Sequence, residues 1–127
     1  MELDWIIVCE YATRDKANKL SVLGEFTSVF LPKFPGQMPI MYVVLRWKVD
    51  EGIATDFSDN VKIVNSRGEV VAEAPLSEAS VEPGRRITTV RRFEFVTFPS
   101  PDMYFVEAYW KGQLMGKDHF FVRAVSA

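Results

Sequence analysis

Any chemistry in this chain would have to come from very few residues. There is one histidine, His119, next to Asp118, and one cysteine, Cys9. An imidazole beside a carboxylate is two members of a nucleophilic triad. The third must be a serine or cysteine presented on a sharp turn, and no G-x-S-x-G elbow stands in the sequence. His119 is therefore read as a solvent-facing strand residue. Cys9 closes the apolar run Trp5-Ile6-Ile7-Val8-Cys9, where a free thiol behaves as a small hydrophobe and a reactive thiolate is not expected. One histidine and one cysteine cannot build a structural zinc site, which takes four such ligands. The acidic stretch from Asp50 and Glu51 through Asp56, Asp59 and Asn60 offers the oxygen atoms calcium prefers, but its spacing follows no calcium loop. It reads as a solvated loop in which Asp and Asn mark turns. No catalytic residue, metal ligand or cofactor is assigned, and the chain is not expected to be an enzyme.

Two further groups bear on binding. Arg85, Arg86, Arg91 and Arg92 are the densest positive feature. Strand alternation sends Arg91 and Arg92 to opposite faces, which dilutes any patch. The whole chain carries 15 basic against 17 acidic side chains, a net −2, and so has no electrostatic bias toward nucleic acid or an anionic membrane. The arginines are expected to pair with Glu94, Glu107 and their neighbours across strands. The other group is apolar. Leu31, Phe34 and Met38, with Phe30 and Ile40, surround three prolines. They either cap an open end of the core or form a surface for a partner or a second copy of the chain. Among the large aromatics, Trp47, Tyr109 and Trp110 could stack on a sugar. Trp110 shares parity with Val106 and Ala108 and so belongs to the core, which leaves Tyr109 as the exposed candidate.

The elements that must position these residues are short β-branched and aromatic runs separated by turn residues. Turns stand out at Asn65-Ser66-Arg67-Gly68-Glu69 and Trp110-Lys111-Gly112-Gln113. Strands are expected over 4–12, 19–26, 40–49, 61–64, 70–74 and 87–98, with two more either side of Lys111-Gly112 that end at Val125. With no helix to cover them, such strands bury their apolar sides against one another, as a sandwich or a closed barrel. Met41, Val43, Leu45 and Trp47 point inward, against Tyr42, Arg46 and Lys48. In 87–98, Val90, Arg92, Glu94, Val96 and Phe98 share one parity while Phe93 and Phe95 take the other. The apolar face therefore changes sides partway, by a bulge near Arg91-Arg92 or a strand shared between sheets. Gly24 hints at a bulge in its strand. The segment from Phe30 to Pro39 reads as neither strand nor helix but as a stiff crossing between sheets. Residues 75–84 read as a loop, with a short helical turn over 76–80. The 127 residues form a single domain, 1–127. Met1-Glu2-Leu3-Asp4 lacks the basic start of a signal peptide, and no run is long enough to span a membrane, so a cytoplasmic, soluble protein is expected.

The order of these signals resembles a family of small uncharacterised bacterial proteins with an immunoglobulin-like β-sandwich. The resemblance is carried by Lys19-Leu20-Ser21-Val22-Leu23-Gly24-Glu25-Phe26, the Pro-rich crossing, and Met41-Tyr42-Val43-Val44-Leu45-Arg46. It continues through the turn at Arg67-Gly68-Glu69 and ends in Tyr104-Phe105-Val106-Glu107-Ala108-Tyr109-Trp110-Lys111-Gly112. Where such closing hairpins often place a glycine before the tyrosine, Met103 stands here. The resemblance implies an all-β, immunoglobulin-like antiparallel sandwich of about eight strands, and it brings no activity or site residues. The expectation for function is a non-enzymatic interaction or structural module. It would self-associate or join a larger bacterial or phage-related assembly, using Phe34, Met38, Leu31 and Tyr109. The alternative is a small-ligand or carbohydrate-binding domain using exposed aromatics.

Overall fold

The computed structural model describes the backbone of every residue except 18, 51–55, 81–83 and 126–127, and, of the rest, the side chains of all but 56 and 75–80. The described residues contain nine strands and no helix. They are β1 (Glu2–Arg14), β2 (Leu20–Glu25), β3 (Ser28–Leu31), β4 (Gly36–Lys48), β5 (Asp56–Val64), β6 (Val70–Ser80), β7 (Arg86–Phe98), β8 (Asp102–Trp110) and β9 (Gln113–Ala124). They make a four-stranded sheet in the order β2-β1-β4-β7 and a five-stranded sheet in the order β3-β9-β8-β5-β6. All pairings are antiparallel except β3 with β9, which is parallel.

The sheets meet where alternation said they should. Met41, Val43, Leu45 and Trp47 of β4 are buried against Phe57, Val61 and Ile63 of β5, Val106 and Ala108 of β8, and Phe120 and Val122 of β9. Each such side chain contributes about 1.5–3 kcal/mol by leaving water. Rings set the spacing between layers: Trp47 meets Phe57 edge-on at 5.8 Å, and Phe98 meets Tyr104 at 4.8 Å and Phe120 at 5.9 Å. Tyr104, at the start of β8, donates its hydroxyl to the Ser100 carbonyl at 2.7 Å. This is the tyrosine corner of immunoglobulin-like domains, and the β9-β8-β5-β6 order is their G-F-C-C′ order. Two residues beyond that tyrosine, where antibody domains place a bridging cysteine, this chain has buried Val106. The fold is an immunoglobulin-like antiparallel sandwich held by packing.

Several expectations need correction. The strand count is nine, because the Pro-rich segment is partly strand: Phe30 and Leu31 end β3 and residues 36–39 begin β4. The crossing between sheets is confined to 32–35, with a cis Phe34–Pro35 bond. Pro39 is tolerated because β1 leaves β4 after the Cys9–Tyr42 pair, so no strand on that side needs its missing N–H. Residues 75–80, read as loop with a helical turn, continue β6 beside β5, and Asp56 to Asn60 belong to β5. The change of apolar face in β7 falls at Phe95, whose φ is +53°, not at Arg91-Arg92. Register with β4 is kept across it, so one residue in the left-handed region swings Val96 and Phe98 inward.

Candidate interaction surface

Leu31, Phe34 and Met38 all belong to the core or its margin. Leu31 is buried in it, while Phe34 and Met38 are half-buried and packed against it. Their packing against the core is in keeping with the capping reading. Tyr109 is elsewhere, half-buried on the outer face of the five-stranded sheet. Its hydroxyl donates to Glu107 at 2.9 Å and its ring lies 4.8 Å from Lys62 Nζ. Trp47 is fully buried and Trp110 is half-buried against the core, so neither is a platform for a ligand.

The residues that could have done chemistry are mostly engaged structurally. Asp50 accepts an ion pair from the amino-terminal ammonium. Glu51 lies outside the described residues, as does the side chain of Asp56. Asn60 donates to Glu73 at 3.0 Å. Asp59 is fully buried between the sheets, 2.5 Å from Arg91 Nη1 and 2.8 Å from the Thr89 hydroxyl. Burial pushes its carboxyl above the usual aspartate range, against the pull of Arg91, Thr89 and the Trp47 indole. The other arginines are spread out, Arg86 on Asp4 at 2.7 Å and Arg92 on Glu94 at 3.0 Å, and among the described residues no arginine reaches Glu107. His119 is exposed, with Nδ1 4.0 Å from Asp118. Among the described residues no three His, Cys, Asp or Glu side chains gather as metal ligands, and no helix is long and apolar enough to cross a membrane.

The two outer faces of the sandwich are treated differently. On the four-stranded sheet, Tyr42, Val44 and Val90 point away from the core yet form a second apolar cluster with Ile7 and Cys9. The cluster is completed by Ala12, Leu20 and Val22, the far part of the β1–β2 hairpin. That hairpin peels away beyond Cys9. Gly24, opposite Glu10, has φ +67°, and Arg14 reaches the Thr88 carbonyl of β7 at 2.7 Å. The arm lies over the sheet, which is why Cys9 is fully buried and its thiol raised by desolvation.

Among the described residues no such arm covers the five-stranded sheet. Register places Phe30 beside Arg123, then Ser28, Phe121 and Met103 in one row, then His119, Phe105, Val64 and Val70 in the next. His119 sits between two rings, 5.6 Å from Phe121 and 6.2 Å from Phe105. Cations lie over those rings: Arg123 at 4.8 Å on Phe121 and Lys117 at 4.9 Å on Phe105. Phe30 is 61% and Val70 51% exposed. An open groove of about 410 Å³ between Pro101, Met103, Phe121 and Arg123 borders the stripe. Sequence reasoning missed this surface because His119, Phe121 and Arg123 alternate within one strand, whereas Phe105 and Phe30 join them only through register.

No curated protein matches the chain. Among solved structures it is similar to the alkylpurine DNA glycosylase AlkC of Pseudomonas fluorescens, solved bound to DNA containing an abasic site analog. That likeness is at 11% identity and TM-score 0.54, over 94% of this chain and 30% of that one. An immunoglobulin-like protein from Pseudomonas aeruginosa aligns over 96% of this chain and 95% of its own, at 16% identity and TM-score 0.42. A family 123 glycoside hydrolase from Clostridium perfringens aligns over 98% of this chain and 27% of its own, at 9% identity and TM-score 0.35. At these identities the likeness to the glycosylase is one of fold alone. The signature of one family matches residues 4–123, nearly the whole sequence, and the chain therefore belongs to DUF6941, a family of unknown function.

Proposed function

We propose that this chain is a non-enzymatic interaction module, a structural part of a protein assembly, that docks through the outer face of its five-stranded sheet. One observation carries the reading. A sandwich whose sheet faces water should alternate to polar residues there, and this face instead carries Phe30, Phe121, Met103, Phe105 and Val70 under a few cations. Contiguous apolar surface of this kind marks a protein contact, and aromatic residues with arginine are what interface centres are enriched in. Wild-type protein and a Phe105→Ser/Phe121→Ser variant, used as paired baits, test the reading. Binding partners should be lost with the variant and kept with Leu23→Ser, on the hairpin arm. Partner sets unchanged by the double variant would refute it.

The groove beside Phe121 favours a second reading, a small-ligand site with that ring as the platform and Asp102 and Arg123 as polar contacts. A thermal-shift screen of sugars and small anions would show a melting shift that Phe121→Ser abolishes. Flat melting temperatures throughout would count against it.

A further inference from the structure

We infer that the occupant of this face is a second copy of the chain, packed sheet against sheet about a two-fold axis that runs along the strands between β8 and β5. This rests on the docking reading above and gives it a partner. The register sets Lys117 of β9, Glu107 of β8, Lys62 of β5 and Glu73 of β6 side by side in one row. The signs run plus, minus, plus, minus. A two-fold axis through the middle of such a row, parallel to the strands, turns it into its own complement. Lys117 then faces Glu73 of the second copy, and Glu107 faces Lys62. A two-fold axis along the row would instead set each charge against its own kind. The row thus selects one self-pairing and opposes the other.

The four charges are held ready for this. Among the described residues none closes an ion pair with a row neighbour. Lys117 and Lys62 lie over the rings of Phe105 and Tyr109, at 4.9 and 4.8 Å, and the two carboxylates accept from Tyr109 and Asn60. The same axis puts His119 of the next row against the exposed Val70 of the second copy, and Phe105 beside Val64, which its own chain already buries. The four strands that overlap across this axis, β9, β8, β5 and β6, lie about 4.8 Å apart with outward rows about 6.8 Å apart, and span roughly 14 by 27 Å between Cα atoms. With side-chain margins that approaches the ~800 Å² per partner of a standard stable interface. Facing sheets cross at about 30°. The crossing leaves the central Glu107–Lys62 contacts, nearest the axis, least displaced.

The experiment is sedimentation velocity on the full chain across a concentration series, at low and high salt. Wild type should dimerise. Glu107→Lys alone, and Lys62→Glu alone, place like charges together at the centre and should each weaken self-association by at least about tenfold. An equimolar mixture of these two single variants restores all four oppositions and should form a heterodimer. Glu107→Lys/Lys62→Glu in one chain restores them too and should dimerise again. A monomeric wild type at every concentration would overturn the self-pairing, and so would a dimer indifferent to both single variants. If wild type is monomeric while Phe105→Ser/Phe121→Ser still loses captured partners, the docking surface stands and its occupant is another protein. Circular dichroism of each variant separates loss of pairing from loss of fold.

Discussion

Removing one half of the Asp59–Arg91 pair should cost far more stability than removing both. Asp59 is 0% and Arg91 8% exposed, so neither charge keeps its water, and each desolvation costs several kcal/mol. Among the contacts that offset it are the 2.5 Å contact between them and the Thr89 hydroxyl at 2.8 Å. Asp59→Leu leaves a guanidinium that cannot deprotonate and should destabilise by about 3–5 kcal/mol. Arg91→Met leaves a carboxyl that can take up a proton, so its cost should be smaller and should shrink on the acid side. The double variant removes both ions and should fall within about 1–2 kcal/mol of wild type. Urea unfolding followed by tryptophan fluorescence gives all four corners of the cycle. The pH dependence has a definite sign. Asp59 in the folded chain titrates above its ordinary 3.8, so over the window from there upward the native state holds a proton that the unfolded chain has released. Its contribution is full below the ordinary value and is lost as pH rises through the raised one. Asp59→Asn should lack that slope. A double variant that costs the sum of the two singles would refute the idea that the pair, and not the packing around it, is what the sheets depend on.

Two further outcomes are expected. Cys9 should resist a thiol-specific disulfide reagent in the native protein, because the hairpin arm buries it and burial raises its thiol. Val22→Asp, on the arm's packed side, should speed labelling by at least about tenfold while urea unfolding of the rest changes by only about 1–3 kcal/mol; unchanged labelling would show that the arm is not what shields it. Asp102 is held below its ordinary range chiefly by the Ser66 hydroxyl, which donates to it at 2.7 Å. Its contribution to stability is therefore present above that range and lost as pH falls. Carboxyl NMR should show Ser66→Ala moving Asp102 back up toward 3.8, and an Asp102 titration that Ser66→Ala leaves in place would refute the assignment.

What could be seen in the sequence was whatever period-2 alternation against a single dry layer encodes. Met41, Val43, Leu45 and Trp47 are all inside, because a one-residue slip would have put the whole set in water. Tyr104 could be placed at a strand start, since Pro99 and Pro101 stop the chain just before it. Other features depend on partners that a single strand does not name. Pro39 looked incompatible with a strand until β1 was seen to leave β4 before reaching it. Phe95 gives no sign that it takes φ +53°, a region a bulky residue seldom enters, so the change of face was expected too early, at Arg91-Arg92. Cys9 read as apolar, but not as lying beneath an arm that carries Ala12, Leu20 and Val22. The row of Lys117, Glu107, Lys62 and Glu73 is spread over two hairpins, and only their registers bring it together.

The contrast between the two outer faces argues for which one meets a partner. Both depart from polar alternation, so both would leave apolar surface in water if nothing lay on them. On the four-stranded sheet the chain supplies its own cover over Cys9 and Val44, which are fully buried as a result, while Ile40 and Phe95 beyond the arm stay exposed. That shows that this fold covers such a face where it can, at the cost of lengthening and bending its first hairpin. Among the described residues the five-stranded sheet received no equivalent, although Phe30 and Val70 are exposed on it and Phe121 and Phe105 only half-buried. An uncovered stripe maintained beside a covered one is hard to account for as packing alone, because packing would favour a polar replacement at each exposed ring. It is accounted for if the cover comes from outside the chain, and the alternating charges at its centre say what the cover must carry in return.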